Sequence, residues 1–341
     1  MSSATDPPPP DPPSKSQHNI LISIPRTASN LVTHVLALPS QPSIFAHPRN
    51  GYFFLPALSS RFENSTFTRP LEDWSSEERA SLEDALGQSA SGWVTWMANA
   101  ETEGKGTYVK EHVNWMVKSE IESAFLHSSS KANTKDPPSP PPAQGFQEKP
   151  ENPTAVPDAF WKNVQVTLLI HHPALTFPST LRTAIDNEGL ETVLGEESES
   201  VMRWECTFKW HVLLYKFLTS LTSPSWPEPL IIDASQLQDG GFVRRYAGAV
   251  GLDPTLVRTS WSAVPSSEQS KLHAIERRMR DTLLGSNGIV SSKLSFQPVD
   301  IEAEKDKWRS EFGPVLADRL NRLVREVAEG YEWLYERRWR G

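Results

Sequence analysis

The turn after the first apolar segment carries side chains that could bind an anion. Residues 25–30 read Pro-Arg-Thr-Ala-Ser-Asn. This turn carries one cation on Arg26, two hydroxyls on Thr27 and Ser29, and one amide on Asn30. A guanidinium can donate two parallel hydrogen bonds to phosphate or sulfate oxygens, and the free N–H groups at a helix N-terminus attract the same anions. An ordinary capped helix with a solvated arginine fits the same spacing, so both interpretations stay open.

The same turn lacks the residues of an ATP-binding loop. A Walker A loop needs glycines and a Lys followed by Ser or Thr, whereas residues 25–30 contain neither glycine nor lysine. No nearby pair of Ser/Thr and Asp is available for magnesium, which disfavours phosphoryl transfer from ATP. Cys206 is the only cysteine, and the adjacent His171 and His172 have no apparent third ligand. We therefore expect no metal.

Apolar segments that alternate with helical ones determine the expected fold. Strands are predicted for 19–24, 108–109, 164–170 and 230–233. Helices are predicted for 29–38, 77–99, 179–188, 201–221, 241–250, 267–284 and 311–338. This alternation predicts an α/β fold with a mostly parallel sheet covered by helices on both faces. Ligands of open parallel sheets bind beyond the carboxyl ends of the strands, which is where Arg26 lies.

Composition limits the class of protein and its partners. The 341 residues are 38% hydrophobic and 22% charged, and the net charge of −8 argues against a nucleic-acid partner. We expect a disordered tail at 1–17 and a single domain over 18–341. A Pro-rich segment at about 128–157 is predicted to be a disordered insertion, with a linker between two domains as the alternative. The lone cysteine, and the absence of a signal peptide or an apolar membrane span, predict a cytoplasmic protein with no membrane partner.

Two segments resemble the nucleotide-binding signatures of cytosolic sulfotransferases. Residues 25–31 are similar to the family's PKSGTTW loop, which binds the 5′-phosphosulfate and often reads PRSGTT in distant members. Residues 169–179 are similar to the second signature, a strand followed by R-N-P-x-x-x-x-x-S that binds the 3′-phosphate. Pro173 and Ser179 lie at matching positions, whereas His171 replaces the arginine and would need a protonated imidazole for the same contact.

Three further segments follow in the family's order. Residues 108–112 resemble the strand-end K-x-H motif, in which the histidine is the general base toward the acceptor hydroxyl. Residues 230–233 with 241–252 resemble a late strand and helix, and 308–312 resemble the terminal W-K-x-x-F motif. The R-K-G clamp that precedes this last motif is missing. The resemblance is closest to divergent fungal sulfotransferase-like proteins found near natural-product biosynthesis genes.

The resemblance implies a P-loop, sulfotransferase-like three-layer fold. It implies transfer of a sulfuryl group from 3′-phosphoadenosine-5′-phosphosulfate to a hydroxyl of a small, hydrophobic metabolite, without a metal. The implied catalytic residues are His112 as base, Lys110 beside the sulfuryl oxygens and Arg26 at the leaving phosphate. The implied nucleotide-binding residues are Arg26, Thr27, Ala28, Ser29, Asn30, His171 and Ser179.

Less specific interpretations of the same residues remain. The altered contacts at His171 and the missing clamp favour a non-catalytic nucleotide-binding or accessory protein of a biosynthetic pathway. An NTP-dependent kinase or hydrolase is the second alternative. His112 could be a strand-end histidine with a local hydrogen bond, and Ser179 could be a helix N-cap. Oligomeric state cannot be deduced from the sequence.

Overall fold

The computed structural model describes residues 17–127, 150–221, 228–294 and 298–341. The predicted tail lies outside these ranges except for Gln17, and so does most of the predicted insertion at 128–157. Its last part is packed against the body of the protein: Thr154 is fully buried and forms an antiparallel bridge with Val117. For 150–157 the expected disorder is therefore wrong, because buried hydrogen bonds hold this piece in place.

In the described ranges, four parallel strands form the sheet, and each is buried on both faces. They are β1 (His18–Ser23), β2 (Thr107–His112), β3 (Val164–Ile170) and β4 (Leu230–Asp233), in the order β2-β1-β3-β4. Near-continuous apolar segments are what strands covered on both faces require. This sheet confirms the predicted α/β class. The second strand is longer than the predicted 108–109, because polar Lys110, Glu111 and His112 continue the ladder with β1.

The helices that connect and cover the strands have these bounds: α1 (Ser29–Val35), α2 (Leu55–Glu63), α3 (Ser76–Thr102), α4 (Ser119–His127), α5 (Asp158–Trp161), α6 (Pro173–Glu188), α7 (Leu190–Leu194), α8 (Glu196–Glu205), α9 (Lys209–Ser220), α10 (Gly240–Ala249), α11 (Ser266–Gln269), α12 (Ala274–Met279), α13 (Asp281–Gly285) and α14 (Ile301–Glu336). None of the helices in the described ranges is long and apolar enough to cross a membrane.

Several helices differ from the predicted segments. The single helix expected at 201–221 is broken between α8 and α9, and that expected at 267–284 is divided into α11, α12 and α13. The last helix begins earlier than predicted, at Ile301, and is interrupted by Gly313, whose φ is 79°. Helix α6 begins at Pro173 instead of Ser179, because proline suits the first helical position and His172 caps the backbone N–H of Ala174.

The core lies on both sides of the sheet. Ile20 and Ile22 of β1 point into one apolar cluster, with side chains from α3, α6, α9 and α14. Leu21 points to the opposite face, into a second cluster with α1 and α10. Because successive strand residues face opposite ways, the two clusters require helices on both faces, as predicted. The strand ends are also level, since Ser23 pairs with His112 and Ile170 pairs with Asp233.

Candidate active site

The turn between β1 and α1 is built on an unusual backbone. Arg26 and Ala28 have φ values of 66° and 68°, in the left-handed region that L-residues other than Gly, Asn and Asp seldom adopt. Buried Thr27 braces the turn by donating its hydroxyl to the Ile24 carbonyl, at 2.8 Å. Ala28 caps α1 through its backbone alone, with no side-chain hydrogen bond. Strained backbone of this kind is concentrated at functional sites.

Arg26 connects the turn to α6. Its Nε donates to the hydroxyl of Ser179 at 3.0 Å, so two residues 153 positions apart in the sequence meet at this end of the sheet. Its Nη1 donates to the Met279 carbonyl at 3.3 Å, and Asp281 lies 3.9 Å from Nη2. Burial lowers the pKa of Arg26 from its ordinary value, and the negative charge of Asp281 opposes that shift. Arg26 is therefore a partly buried cation with carboxylate and carbonyl partners.

Lys110 joins the turn to the end of β2. Its ammonium donates to the side-chain oxygen of Asn30 and lies 4.5 Å from the ring centroid of Tyr52. The residue is only 2% exposed, and burial lowers the pKa of Lys110 to about 7, helped by the positive charge of Arg280 and opposed by Glu111. A small change in surroundings can therefore switch this group between its charged and neutral forms near neutral pH.

His112 ends β2 beside Ser23 of β1. Its Nδ1 lies 3.0 Å from the Ser23 hydroxyl, which lies 3.4 Å from the backbone carbonyl of Glu111. If that hydroxyl donates to the carbonyl, Nδ1 must carry its own proton, and Nε2 presents a lone pair. Burial lowers the pKa of His112 to about 3, with Lys110 adding to the effect. The ring is therefore neutral at neutral pH, as a proton acceptor must be.

Tyr52 lies outside the sequence motifs, and the pattern of residues did not predict that it adds an aromatic ring to this part of the site. The ring of Tyr52 has its centroid 5.4 Å from both His112 and Trp115, and those two rings lie 4.7 Å apart. Tyr52 follows the dipeptide Asn50-Gly51, a typical turn signal. That signal predicts a turn here, but nothing in it indicates that the turn packs against β2.

The predicted residues separate into a group around Arg26 and Lys110 and a group of two buried residues, Thr27 and His171. Lys110 contacts Asn30, and Arg26 contacts Ser179. The two pairs are linked because Arg26 and Asn30 both donate to the Met279 carbonyl, at 3.3 Å. His112 lies at the end of the same strand as Lys110. Ser29 begins α1 and reaches the Tyr52 side chain. Thr27 points inward. His171 is 5% exposed, and neither of its ring nitrogens has a hydrogen-bond partner in the described part of the chain.

His171 lacks the positive charge of the arginine that the resembled motif has at this position. Burial lowers its pKa, with only a partial opposing effect from Asp233, so the imidazole is neutral at neutral pH. A neutral ring cannot supply the positive charge that an anionic phosphate favours. The described residues also contain no group of three or more His, Cys, Asp or Glu side chains arranged to hold a metal ion.

Comparison with known proteins identifies relatives over nearly the whole chain. The chain is 34% identical over 337 residues to "Sulfotransferase ppzF" of Metarhizium majus, covering 96% of this chain and 98% of that protein. It is 33% identical over 345 residues to the protein of the same name from Metarhizium rileyi, with the same coverage.

Other comparisons add less. A search of family models finds no match. Among solved structures, the sulfotransferase domain of the Synechococcus PCC 7002 olefin synthase aligns with 89% of this chain and 97% of that domain, at 12% identity and a TM-score of 0.34. The two curated relatives, by their identity and their coverage, show that this chain belongs to the sulfotransferase family.

Proposed function

We propose that the protein transfers a sulfuryl group from 3′-phosphoadenosine-5′-phosphosulfate to a hydroxyl of a small, apolar metabolite. One observation carries the proposal: Asn30 of the anion-binding turn contacts Lys110, which lies two residues before His112 on β2. A cation therefore lies between the part of the site that would hold the donor and the residue that would take a proton. Sulfuryl transfer needs these two functions side by side.

The chemistry assigned to each residue follows from its position. The acceptor hydroxyl attacks sulfur, a new S–O bond forms, the S–O bond to the phosphate breaks, and 3′-phosphoadenosine 5′-phosphate leaves. His112 takes the hydroxyl proton on Nε2. Arg26 stabilises the charge on the leaving phosphate, and Lys110 stabilises the sulfuryl oxygens. Ser29, Asn30 and Ser179 contribute neutral donors.

The residues fit this donor in charge and in hydrogen-bonding capacity. Arg26 and Lys110 supply cations, and the short contacts that they make now, to Ser179 and Asn30, are to neutral side chains that could also donate to a phosphate. In the proposed mechanism no step needs a metal ion. The acceptor is proposed to be a metabolite of fungal secondary metabolism, and the place of action the cytoplasm.

A non-catalytic nucleotide-binding or accessory protein is the second candidate. Two observations favour this candidate. His171 is neutral where the motif of cytosolic sulfotransferases has an arginine, and the R-K-G clamp of that family is missing. In this case the protein would bind the nucleotide weakly and transfer nothing. An NTP-dependent kinase or hydrolase is disfavoured, because the turn has no lysine of the Walker type.

Titration calorimetry with 3′-phosphoadenosine 5′-phosphate, without magnesium, tests the donor assignment. We expect micromolar binding by the wild type and a loss of at least roughly tenfold in Arg26→Ala, because a charge-assisted contact to phosphate is lost. Arg325→Ala is the matched control, since Arg325 is an exposed residue of α14 whose side chain is 63% accessible. Absence of binding by the wild type, or a preference for magnesium ATP, would rule out the proposed donor.

Transfer itself is tested with labelled donor and a panel of hydroxylated aromatic and aliphatic compounds. If the panel yields a sulfated product, His112→Asn should abolish its formation while 3′-phosphoadenosine 5′-phosphate binding persists. A wild-type protein that binds the nucleotide but sulfates no acceptor would support the accessory alternative.

A further inference from the structure

Tyr52 is held in an uncommon conformation beside β2. Its φ is 65°, in the left-handed region where a bulky side chain is an outlier. The preceding Gly51 forms a parallel bridge with Lys110, and the Lys110 backbone bonds this segment on both sides: its N–H donates to the Asn50 carbonyl at 2.8 Å and its carbonyl accepts from the Tyr52 N–H at 3.1 Å. Such strain persists only where the surroundings enforce it.

Two further contacts fix the same segment. The buried carboxyl group of Glu111 accepts a hydrogen bond from the Phe53 N–H. His47 accepts from the Gly51 N–H through Nδ1, at 3.0 Å. The backbone that carries Tyr52 is therefore attached to two consecutive strand residues, Lys110 and Glu111. This leaves the ring little freedom to move away from Lys110.

The side chain of Tyr52 touches both halves of the site. The Lys110 ammonium lies over its ring face, 4.5 Å from the centroid, and His112 packs against it at 5.4 Å. The phenol also lies within reach of the Ser29 side chain in the anion-binding turn. A desolvated ammonium over an aromatic face is stabilised by the electrostatic field of the ring.

We propose that Tyr52 is a positioning residue, whose ring holds the Lys110 ammonium between the anion-binding turn and His112. The inference rests on the proposed function and assigns to it a residue outside the motifs. A lysine on a flexible four-carbon stem could otherwise reach several anionic partners. Held here, its charge lies where the sulfuryl oxygens would pass from donor to acceptor.

The test follows the ionisation of Lys110 directly, by NMR of protein labelled at lysine Cε, across a pH titration. The Lys110 signal is identified by its loss in Lys110→Met. Lys110 is faced by Arg280, Glu111 and His112, none of which is substituted in the Tyr52 variants. The titration midpoint of the wild type is expected near the pKa of about 7.

Tyr52→Leu fills much of the space but has no π face. Its Lys110 midpoint should fall by about one pH unit, the size of a desolvated cation–π contact, which leaves roughly fivefold fewer charged lysines at pH 7. Tyr52→Phe keeps the face and should leave the midpoint unchanged. An unchanged or raised midpoint in Tyr52→Leu overturns the proposal, and so does an equal fall in Tyr52→Phe, which would assign the effect to the hydroxyl.

Nucleotide binding gives an independent readout of the same variants. Affinity for 3′-phosphoadenosine 5′-phosphate at pH 7 should fall up to about fivefold in Tyr52→Leu, in proportion to the loss of charged Lys110, and the loss should disappear below about pH 5. If the wild type does not bind this nucleotide, the proposed function fails, whereas the lysine titration still decides what Tyr52 does to Lys110. If Tyr52→Leu does not fold, the Tyr52→Phe titration alone can still refute the role of the ring.

Discussion

Arg61 is a buried cation that supports the segment leading out of β2. Its side chain is 0% exposed, and Nε donates to the Glu122 carboxylate at 2.8 Å. The two terminal nitrogens donate to backbone carbonyls, including those of Trp115 and Val117 at 3.2 and 2.9 Å. Arg61→Met would leave the Glu122 charge buried with the Trp204 indole as its remaining donor, at a cost of about 3–5 kcal/mol in the free energy of unfolding.

Urea denaturation followed by tryptophan fluorescence measures this cost. The midpoint should fall by about 1–2 M in Arg61→Met. The double variant Arg61→Met with Glu122→Leu should recover much of the loss, because no unpaired charge remains. Lys271→Met removes an exposed pair with Glu268 and should leave the midpoint unchanged. The reasoning is refuted if Arg61→Met costs under about 1 kcal/mol, or if the double variant is as unstable as the two single changes added together.

Two further predictions concern the backbone and the charges of the same region. In Gly51→Ala the new Cβ would overlap the Lys110 carbonyl oxygen, and alanine would have to adopt a φ of 125°, so the urea midpoint of unfolding should fall sharply. Gly92→Ala is the control: this helix position has open space around it, so the midpoint should stay the same or rise. Equal midpoints for the two variants would contradict the packing of Gly51 on β2. Burial raises the pKa of Glu111 to about 8 in the folded protein, from about 4.5 in the unfolded chain. The folded state therefore binds this proton more tightly, and the resulting stabilisation is complete below about pH 4.5 and is lost as the pH rises through about 8. The wild type should therefore lose stability relative to Glu111→Gln between about pH 5 and 8 in urea titrations, and parallel curves would show that Glu111 is not held neutral.

Local patterns in the sequence were sufficient for the class of fold. Apolar segments such as 164–170 predict strands, and the alternation with helical segments predicts a parallel sheet with two covered faces. The same patterns place Arg26 at a strand end, where such sheets bind ligands. Helix breaks were harder to predict, because the apolar spacing of 201–221 continues through the break at Cys206.

The sequence by itself also determined which residue types are present for chemistry, since Arg26, Lys110, His112 and Ser179 all stand at motif positions. Tertiary structure decided their state. Burial lowers the pKa of Lys110 and of His112, and it keeps His171 neutral. Tyr52 reaches the site only because its backbone pairs with a strand nearly sixty residues away. The physical reason is that period and composition act over a few residues, whereas desolvation and long-range pairing depend on what the folded chain brings together.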